Sequence, residues 1–161
     1  SNAAFDESIV YQGLGATTIR GRMQLAWDRP RIMVDGAHNP ASVASLMRSI
    51  GSHVPFDSMI CVFGCCDDKD MDGMIENAAL GGDKIVFTMA SDQPRAAEPR
   101  ELAKRFAENH GKICQTAPNV REALEIAARA ASRDDLICVT GSFYLVGETL
   151  DYLKELEAQR T

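Results

Sequence analysis

No apolar run in the 161 residues approaches the roughly 20 that a membrane-spanning helix needs, and no charged leader precedes an apolar segment of the secretory kind. A cytoplasmic protein is therefore expected. Clusters of Lys and Arg are lacking too. The 17 basic residues are scattered among 23 acidic ones for a net charge of -6, which argues against a nucleic-acid or anionic-membrane surface and leaves small molecules as the expected partners. Cysteine occurs five times, at 61, 65, 66, 114 and 138, without a Cys-x-x-Cys pair and in an odd number, so neither a disulfide framework nor a regular zinc site is expected. Internal repeats and low-complexity tracts are missing, which excludes solenoids.

What is present is ordinary for a soluble domain: 45% hydrophobic residues, 25% charged, 12 Gly and 6 Pro, in a length suited to one core. Ser1-Asn2-Ala3 resembles the scar left after tag removal, residues 4–20 read as a lead-in, and the domain proper is expected over 21–161. Short apolar runs alternate with segments whose apolar residues recur at three and four, the pattern of strands alternating with helices. Strands are expected at Met23 to Trp27, Arg31 to Val34, Met59 to Phe63, Lys84 to Thr88, Ile113 to Thr116 and Leu136 to Thr140. Helices are expected from Pro40 to a stop at Gly51, from Asp70 to Leu80, from Pro99 to Gly111, after a capping box at Asn119 and Glu122, and from Ser142 to a frayed tail at Lys154. Only Asp28-Arg-Pro-Arg31 joins the first two strands, too short for a crossover, so they form an antiparallel hairpin. The fold class is thus α/β: a Rossmann-like three-layer domain with a mostly parallel six-stranded sheet and one antiparallel N-terminal strand. Cys61, Cys114 and Cys138 read as small core hydrophobes on strands, and Cys65 and Cys66 as incidental loop residues.

In an open α/β sheet, ligands bind outside the carboxyl ends of the strands. The loops expected there carry Asp35-Gly-Ala-His38-Asn39-Pro40, then Gly64-Cys-Cys-Asp-Asp-Lys69-Asp70, then Ser91-Asp-Gln-Pro-Arg95, and last Thr140-Gly-Ser142-Phe-Tyr144. Asp35, His38, Lys69, Arg95 and Ser142 could converge on one edge. Taken singly each has a plain reading: Asp35 a cap, His38 a turn residue, Lys69 a partner for Asp68 or Asp70.

Together, Asp35-Gly-Ala-His-Asn-Pro40, Gly21-Arg22, Phe63-Gly64 with Asp68-Lys-Asp70, and Gly141-Ser-Phe-Tyr144 resemble the C-terminal domain of folylpolyglutamate synthase and dihydrofolate synthase, in the Mur ligase superfamily. The resemblance implies an ATP-dependent, ADP-forming ligase that activates a folate carboxylate as an acyl phosphate for attack by the amine of glutamate. It implies that Arg22 and Asp35 contact the nucleotide, that His38, Lys69 and Ser142 line the glutamate pocket, and that Asn39, Arg95 and Tyr144 are weaker candidates for the same surface. Substituting Asp35 or Lys69 by Ala is then expected to weaken ATP or glutamate use with the fold intact. No Gly-x-x-x-x-Gly-Lys-Ser/Thr phosphate loop occurs, so the resemblance further implies a missing N-terminal ATPase domain in cis that holds most of the magnesium site, and an isolated fragment that is inactive and monomeric. Two other readings stay open: a stand-alone non-catalytic ligand-binding domain, and a domain of a peptidoglycan Mur ligase.

Overall fold

The computed structural model describes residues 20–160. The expected tag remnant and nearly all of the lead-in lie outside the described residues. Six strands and five helices alternate in the expected order: β1 (Gln24–Trp27), β2 (Arg31–Asp35), α1 (Pro40–His53), β3 (Met59–Phe63), α2 (Met71–Gly81), β4 (Lys84–Phe87), α3 (Pro99–His110), β5 (Gln115–Thr116), α4 (Val120–Ala130), β6 (Leu136–Thr140) and α5 (Phe143–Gln159). They form one sheet in the order β1-β2-β6-β3-β4-β5. β1 pairs antiparallel with β2, and the remaining pairs are parallel.

Both faces of the sheet are covered, which is why β3 and β6 are apolar without alternation and buried at every position. On one face Met33, Cys61, Phe63, Phe87 and Cys138 pack against α1, α2 and α3 through Val43, Leu46, Ile50, Met74, Leu102 and Phe106. On the other, Ile32, Val34, Val62 and Val139 pack against α4 and α5 through Leu124, Ala127, Leu145 and Leu153. Neighbouring residues of a strand point to opposite faces, so Met33 and Val34 serve different cores.

Several boundaries and one cap differ from expectation. α1 runs past Gly51 to His53, because the chain is turned instead by Pro55, whose ring holds Val54 extended at φ -116° and ψ 115°. α5 does not fray at Lys154 but continues to Gln159, carried by buried Tyr152 and Leu153 and by Leu156 packed against the core. β5 shrinks to two residues on the sheet edge, and Ile113 stands 93% exposed outside the ladder. At α4 Asn119 does cap the Glu122 N–H, but the Glu122 carboxylate takes the Asn119 side-chain amide rather than its backbone N–H. The reciprocal capping box is found at α1, between Asn39 and Ser42.

Cys61 and Cys138 are fully buried, as expected, whereas Cys114 is half-buried and precedes its strand. Cys65 and Cys66 are buried as well, and not incidental. Cys65 belongs to the core, and Cys66 bridges to Ala96, joining the loop after β3 to the loop after β4.

Candidate functional site

Parallel pairing aligns Asp35 with Thr140 and Thr140 with Phe63, and Phe63 with Phe87, so four strands end on one level and their loops leave from one edge. Glycines let these loops close up. Gly141 has φ 117°, donates its N–H to Ala37 O, and lies so near the carbonyl of Gly64 that a Cβ there would overlap it. A Cβ on Gly36 would run into the Phe143 ring.

Asp35 is 7% exposed, and each of its oxygens has a backbone donor: Met23 N–H to Oδ2 and Ala37 N–H to Oδ1, both at 2.9 Å. Gly36 N–H donates to Gly21 O at 2.8 Å. The turn after β2 is thus riveted to the chain entering β1, where Gly21 and Met23 both have positive φ. Arg22 lies between these two anchors, exposed and without an ion pair among the described residues. Removal of Asp35 is therefore expected to cost stability, since Ala37 N–H and Met23 N–H both lose their acceptor.

The other half of the edge is a cavity of about 220 Å³, lined by His38, Cys66, Asp68, Lys69, Gln93, Arg95, Gly141, Ser142, Phe143 and Tyr144. His38, Lys69, Ser142, Arg95 and Tyr144 from the sequence reading are brought together here, on four loops. Asp35 and Arg22 do not line this cavity. Asn39 does not either: it caps α1, accepting the Ser42 N–H at 2.8 Å. Cys66, Asp68 and Gln93 were missed as lining residues. The pairing of the two loops places them, and nothing in their spacing signals it.

The cavity carries usable polar groups. His38 Nδ1 faces Gly36 O at 3.1 Å, and since a carbonyl only accepts, Nδ1 donates and Nε2 is left for a ligand. The ring also leans on Phe143, centroids 5.1 Å apart. Ser142 caps α5, accepting the Leu145 N–H at 3.0 Å, so the cavity abuts the positive end of a helix. Arg95 and Asp68 form a loose, exposed pair at 3.6 Å, and Lys69 has no carboxylate partner among the described residues. Burial and then the Asp68 carboxylate push the Cys66 thiol up, with Lys69 pulling the other way. Among the described residues no cluster of three or more His, Cys, Asp or Glu could hold a metal ion.

A larger groove, about 1050 Å³, opens at the opposite edge, lined among others by Arg29, Pro55, Phe56, Ala131 and Arg133. It lies where α1 and α4 end, and helix C-termini present carbonyls of partial negative charge. Arg31 there is spent on Pro55 O at 2.7 Å. The smaller cavity, at the helix starts, is the better site for an anionic ligand.

Residues 21–143 match the family described as Mur ligase, glutamate ligase domain. The chain belongs to this family. It is 31% identical over 143 residues to a probable bifunctional folylpolyglutamate synthase/dihydropteroate synthase of Haloferax volcanii, covering 89% of this chain and 17% of that protein. It is 30% identical over 156 residues to the dihydrofolate synthase/folylpolyglutamate synthase of Mycobacterium tuberculosis, covering 88% and 32%. Mycobacterium tuberculosis folylpolyglutamate synthase, solved with ADP and AMPPCP, superimposes with a TM-score of 0.77 at 28% identity, over 86% of this chain and 33% of that one. A peptidoglycan relative also matches, the UDP-N-acetylmuramoyl-L-alanyl-D-glutamate--2,6-diaminopimelate ligase of Coxiella burnetii, 26% identical over 82% of this chain and 28% of that protein. The chain spans a third or less of the length of each of these proteins. No helix among its described residues is long and apolar enough to cross a membrane.

Proposed function

We propose that this chain is the glutamate-receiving C-terminal domain of an ATP-dependent folate:glutamate ligase working in the cytoplasm, with folylpolyglutamate or dihydrofolate synthase activity. The observation that carries the reading is the convergence of His38, Lys69, Arg95 and Ser142 on one small cavity at a helix start. At about 220 Å³ it falls below the roughly 300–1,000 Å³ of drug-sized pockets, a size suited to an amino acid. Lys69 and Arg95 supply charge for two carboxylates, Ser142 and the α5 start supply hydrogen bonds, and Asp68 can face the ammonium group. His38 Nε2 accepts from that ammonium when neutral.

In the reaction, the γ-phosphoryl of ATP passes to a folate carboxylate, giving an acyl phosphate and ADP. The glutamate ammonium gives one proton to solvent, the free amine attacks the acyl carbon, and inorganic phosphate leaves as the amide forms and the nitrogen's second proton passes to solvent or the departing phosphate. This chain's part is to hold glutamate with its amine between Asp68 and His38, and to offer Arg22 to the nucleotide and the remaining lone pairs of Asp35 to its ribose. Among the described residues no group of three or more His, Cys, Asp or Glu could hold a metal ion, and the sequence has no Gly-x-x-x-x-Gly-Lys-Ser/Thr phosphate loop. In the proposed reading the phosphoryl-transfer machinery sits in a partner domain in cis, closure against which would bring the two reactants together.

The test is ADP release by the full-length parent with dihydropteroate, tetrahydrofolate or a muramoyl acceptor. Glutamate-dependent release is expected with a folate acceptor, with the KM for glutamate raised roughly 10- to 100-fold in Lys69→Ala, as for loss of a charged hydrogen bond. No turnover with any folate acceptor overturns the proposal, and turnover with the muramoyl acceptor replaces it with the peptidoglycan reading. The 161-residue chain alone is expected to release no ADP.

A further inference from the structure

The wall of the cavity that carries Gln93 and Arg95 is a loop, and its conformation is held from outside the cavity. Helix α5 opens at the cavity with Ser142 and, six residues on, presents Glu148 to the start of that loop. Glu148 Oε2 accepts the Ser91 N–H at 2.6 Å and the Asp92 N–H at 3.2 Å. Two successive backbone N–H groups converging on one point form a small anion-binding nest, and here the protein's own carboxylate fills it. The loop then folds on itself, with Arg95 N–H donating to Gln93 Oε1 at 3.0 Å and Ala96 N–H to Gln93 O at 3.1 Å. Its far end is zipped to the loop after β3 by Asp67 N–H to Arg95 O at 2.7 Å and Ala97 N–H to Cys65 O at 2.8 Å.

The segment from Ser91 to Ala97 is thus fixed at both ends, by the Glu148 carboxylate at one and by backbone hydrogen bonds to the loop after β3 at the other. Glu148 sits in a neighbouring groove with Asp92, Asp151 and Glu155 about it and Arg121 as the cation. Arg121 there pairs with Glu155 at 3.7 Å, and the hydrogen bonds of Glu148 are the two from the loop N–H groups. Glu148 does not line the amino-acid cavity, and a role in ligand use must run through the loop.

We propose that Glu148 is a positioning residue: by pinning the β4–α3 loop to α5 it sets Gln93 and Arg95 opposite Ser142 and Lys69, and so sets how well the cavity grips the amino acid. The consequence for the amino acid rests on the function proposed above; the latch itself does not. Two measurements separate them. In this chain, amide hydrogen exchange at Ser91 and Asp92 is expected to quicken at least tenfold in Glu148→Ala, with a smaller rise at Asp67, while β6 amides stay unchanged. Glu148→Gln, which keeps an acceptor oxygen, is expected to restore most of the protection. Unchanged exchange at Ser91, Asp92 and Asp67 in Glu148→Ala overturns the latch. In the full-length parent, Glu148→Ala is expected to raise the KM for glutamate about five- to tenfold with kcat within about twofold, and Glu148→Gln to lie near the unsubstituted enzyme. A quickened loop with an unchanged KM overturns the positioning role and leaves the proposed function standing. Absence of glutamate-dependent turnover in the unsubstituted parent overturns the proposed function and with it the consequence for glutamate, while exchange still decides the latch.

Discussion

Replacing Asp35 separates its structural work from any ligand contact, because the structure gives both of its oxygens a backbone partner. In Asp35→Ala the Ala37 N–H is sealed in without an acceptor, at the full cost of an unmade buried hydrogen bond, about 1–3 kcal/mol. The Met23 N–H is only part-buried, so water can replace the carboxylate there and the cost falls at the lower end of that range. Together about 3 kcal/mol is expected, and for a chain of this length each kcal/mol moves the midpoint by roughly 2–4 °C, so Tm falls by about 6–12 °C. Asp35→Asn keeps one acceptor oxygen and turns the other into a donor facing a donor. It can satisfy one N–H of the two, which places it near half the loss, about 3–6 °C. Thermal melts of the 161-residue chain followed by circular dichroism, with ligands left out, read this directly. Lys69→Ala is the control: its exposed ammonium has no ion-pair partner among the described residues, so a change within about 0.5 kcal/mol is expected. A melt of Asp35→Ala within about 2 °C of the unsubstituted chain, or an Asn variant as damaged as the Ala one, would show that the clamp is not what the carboxylate is for.

Glycine gives an opposed pair. Gly141→Ala places a Cβ on the Gly64 carbonyl at a φ of 117°, and a loss of about 3 kcal/mol in urea unfolding is expected from strain and overpacking together. Gly147→Ala, inside α5 with open space around it, should gain about 0.5–1 kcal/mol. Among the cysteines, burial pushes the Cys61 and Cys65 thiols up to about 12 and Cys138 well above its usual range, so all three stay protonated at pH 8. A chromogenic disulfide reagent should therefore modify half-buried Cys114 first in the native protein, and all five thiols only after unfolding. Asp135, which accepts from Ser132 N–H at 2.7 Å and from both the N–H and hydroxyl of Ser58, is held below the usual carboxylate range, chiefly by the Ser132 bond. With the folded value below the unfolded one, its contribution is present above the unfolded pKa and lost as pH falls through the folded one. Asp135→Asn should cost about 2 kcal/mol at pH 7, and the gap to the parent should close as the pH falls through the lowered folded pKa.

The order of elements was legible because β2, β3, β4 and β6 are short runs rich in Ile and Val, flanked by a helix signal or a tight turn. Asn39 before Pro40 and the Gly111 stop were visible for the same local reason. The errors share another one. α1 passed Gly51 because a glycine inside a helix costs only about 1 kcal/mol, whereas Pro55 forbids continuation. α5 outran its charged tail because Tyr152, Leu153 and Leu156 had a sheet to pack on, and no window of the tail contains that sheet. The site behaved likewise. Residues at the starts of helices could be read as facing one edge, but Cys66 and Gln93 join the cavity only because the loops after β3 and β4 pair with each other. Asp35 was legible as a polar group at a strand end; the donor that claims half of it comes from Met23, on the far side of a hairpin.

That donor bears on how substitutions at the site should be read. Asp35 N-terminal to the turn and His38 within it share the segment Gly36-Ala37, whose backbone also touches the second half of the site: Ala37 O accepts the Gly141 N–H at 3.1 Å and Gly36 lies under the Phe143 ring. Loosening the Asp35 clamp therefore shifts the ground on which His38 and Ser142 stand. A rise in the glutamate KM of Asp35→Asn would not by itself make Asp35 a glutamate ligand, and a double-mutant cycle with Ser142→Ala distinguishes the cases. Coupling through the shared turn predicts effects on the glutamate KM that depart from additivity by roughly 0.5 kcal/mol or more, while independent contacts would add to within about that margin. If the two substitutions prove additive while both raise the glutamate KM, the turn does not transmit, and Asp35 and Ser142 act on the ligand separately.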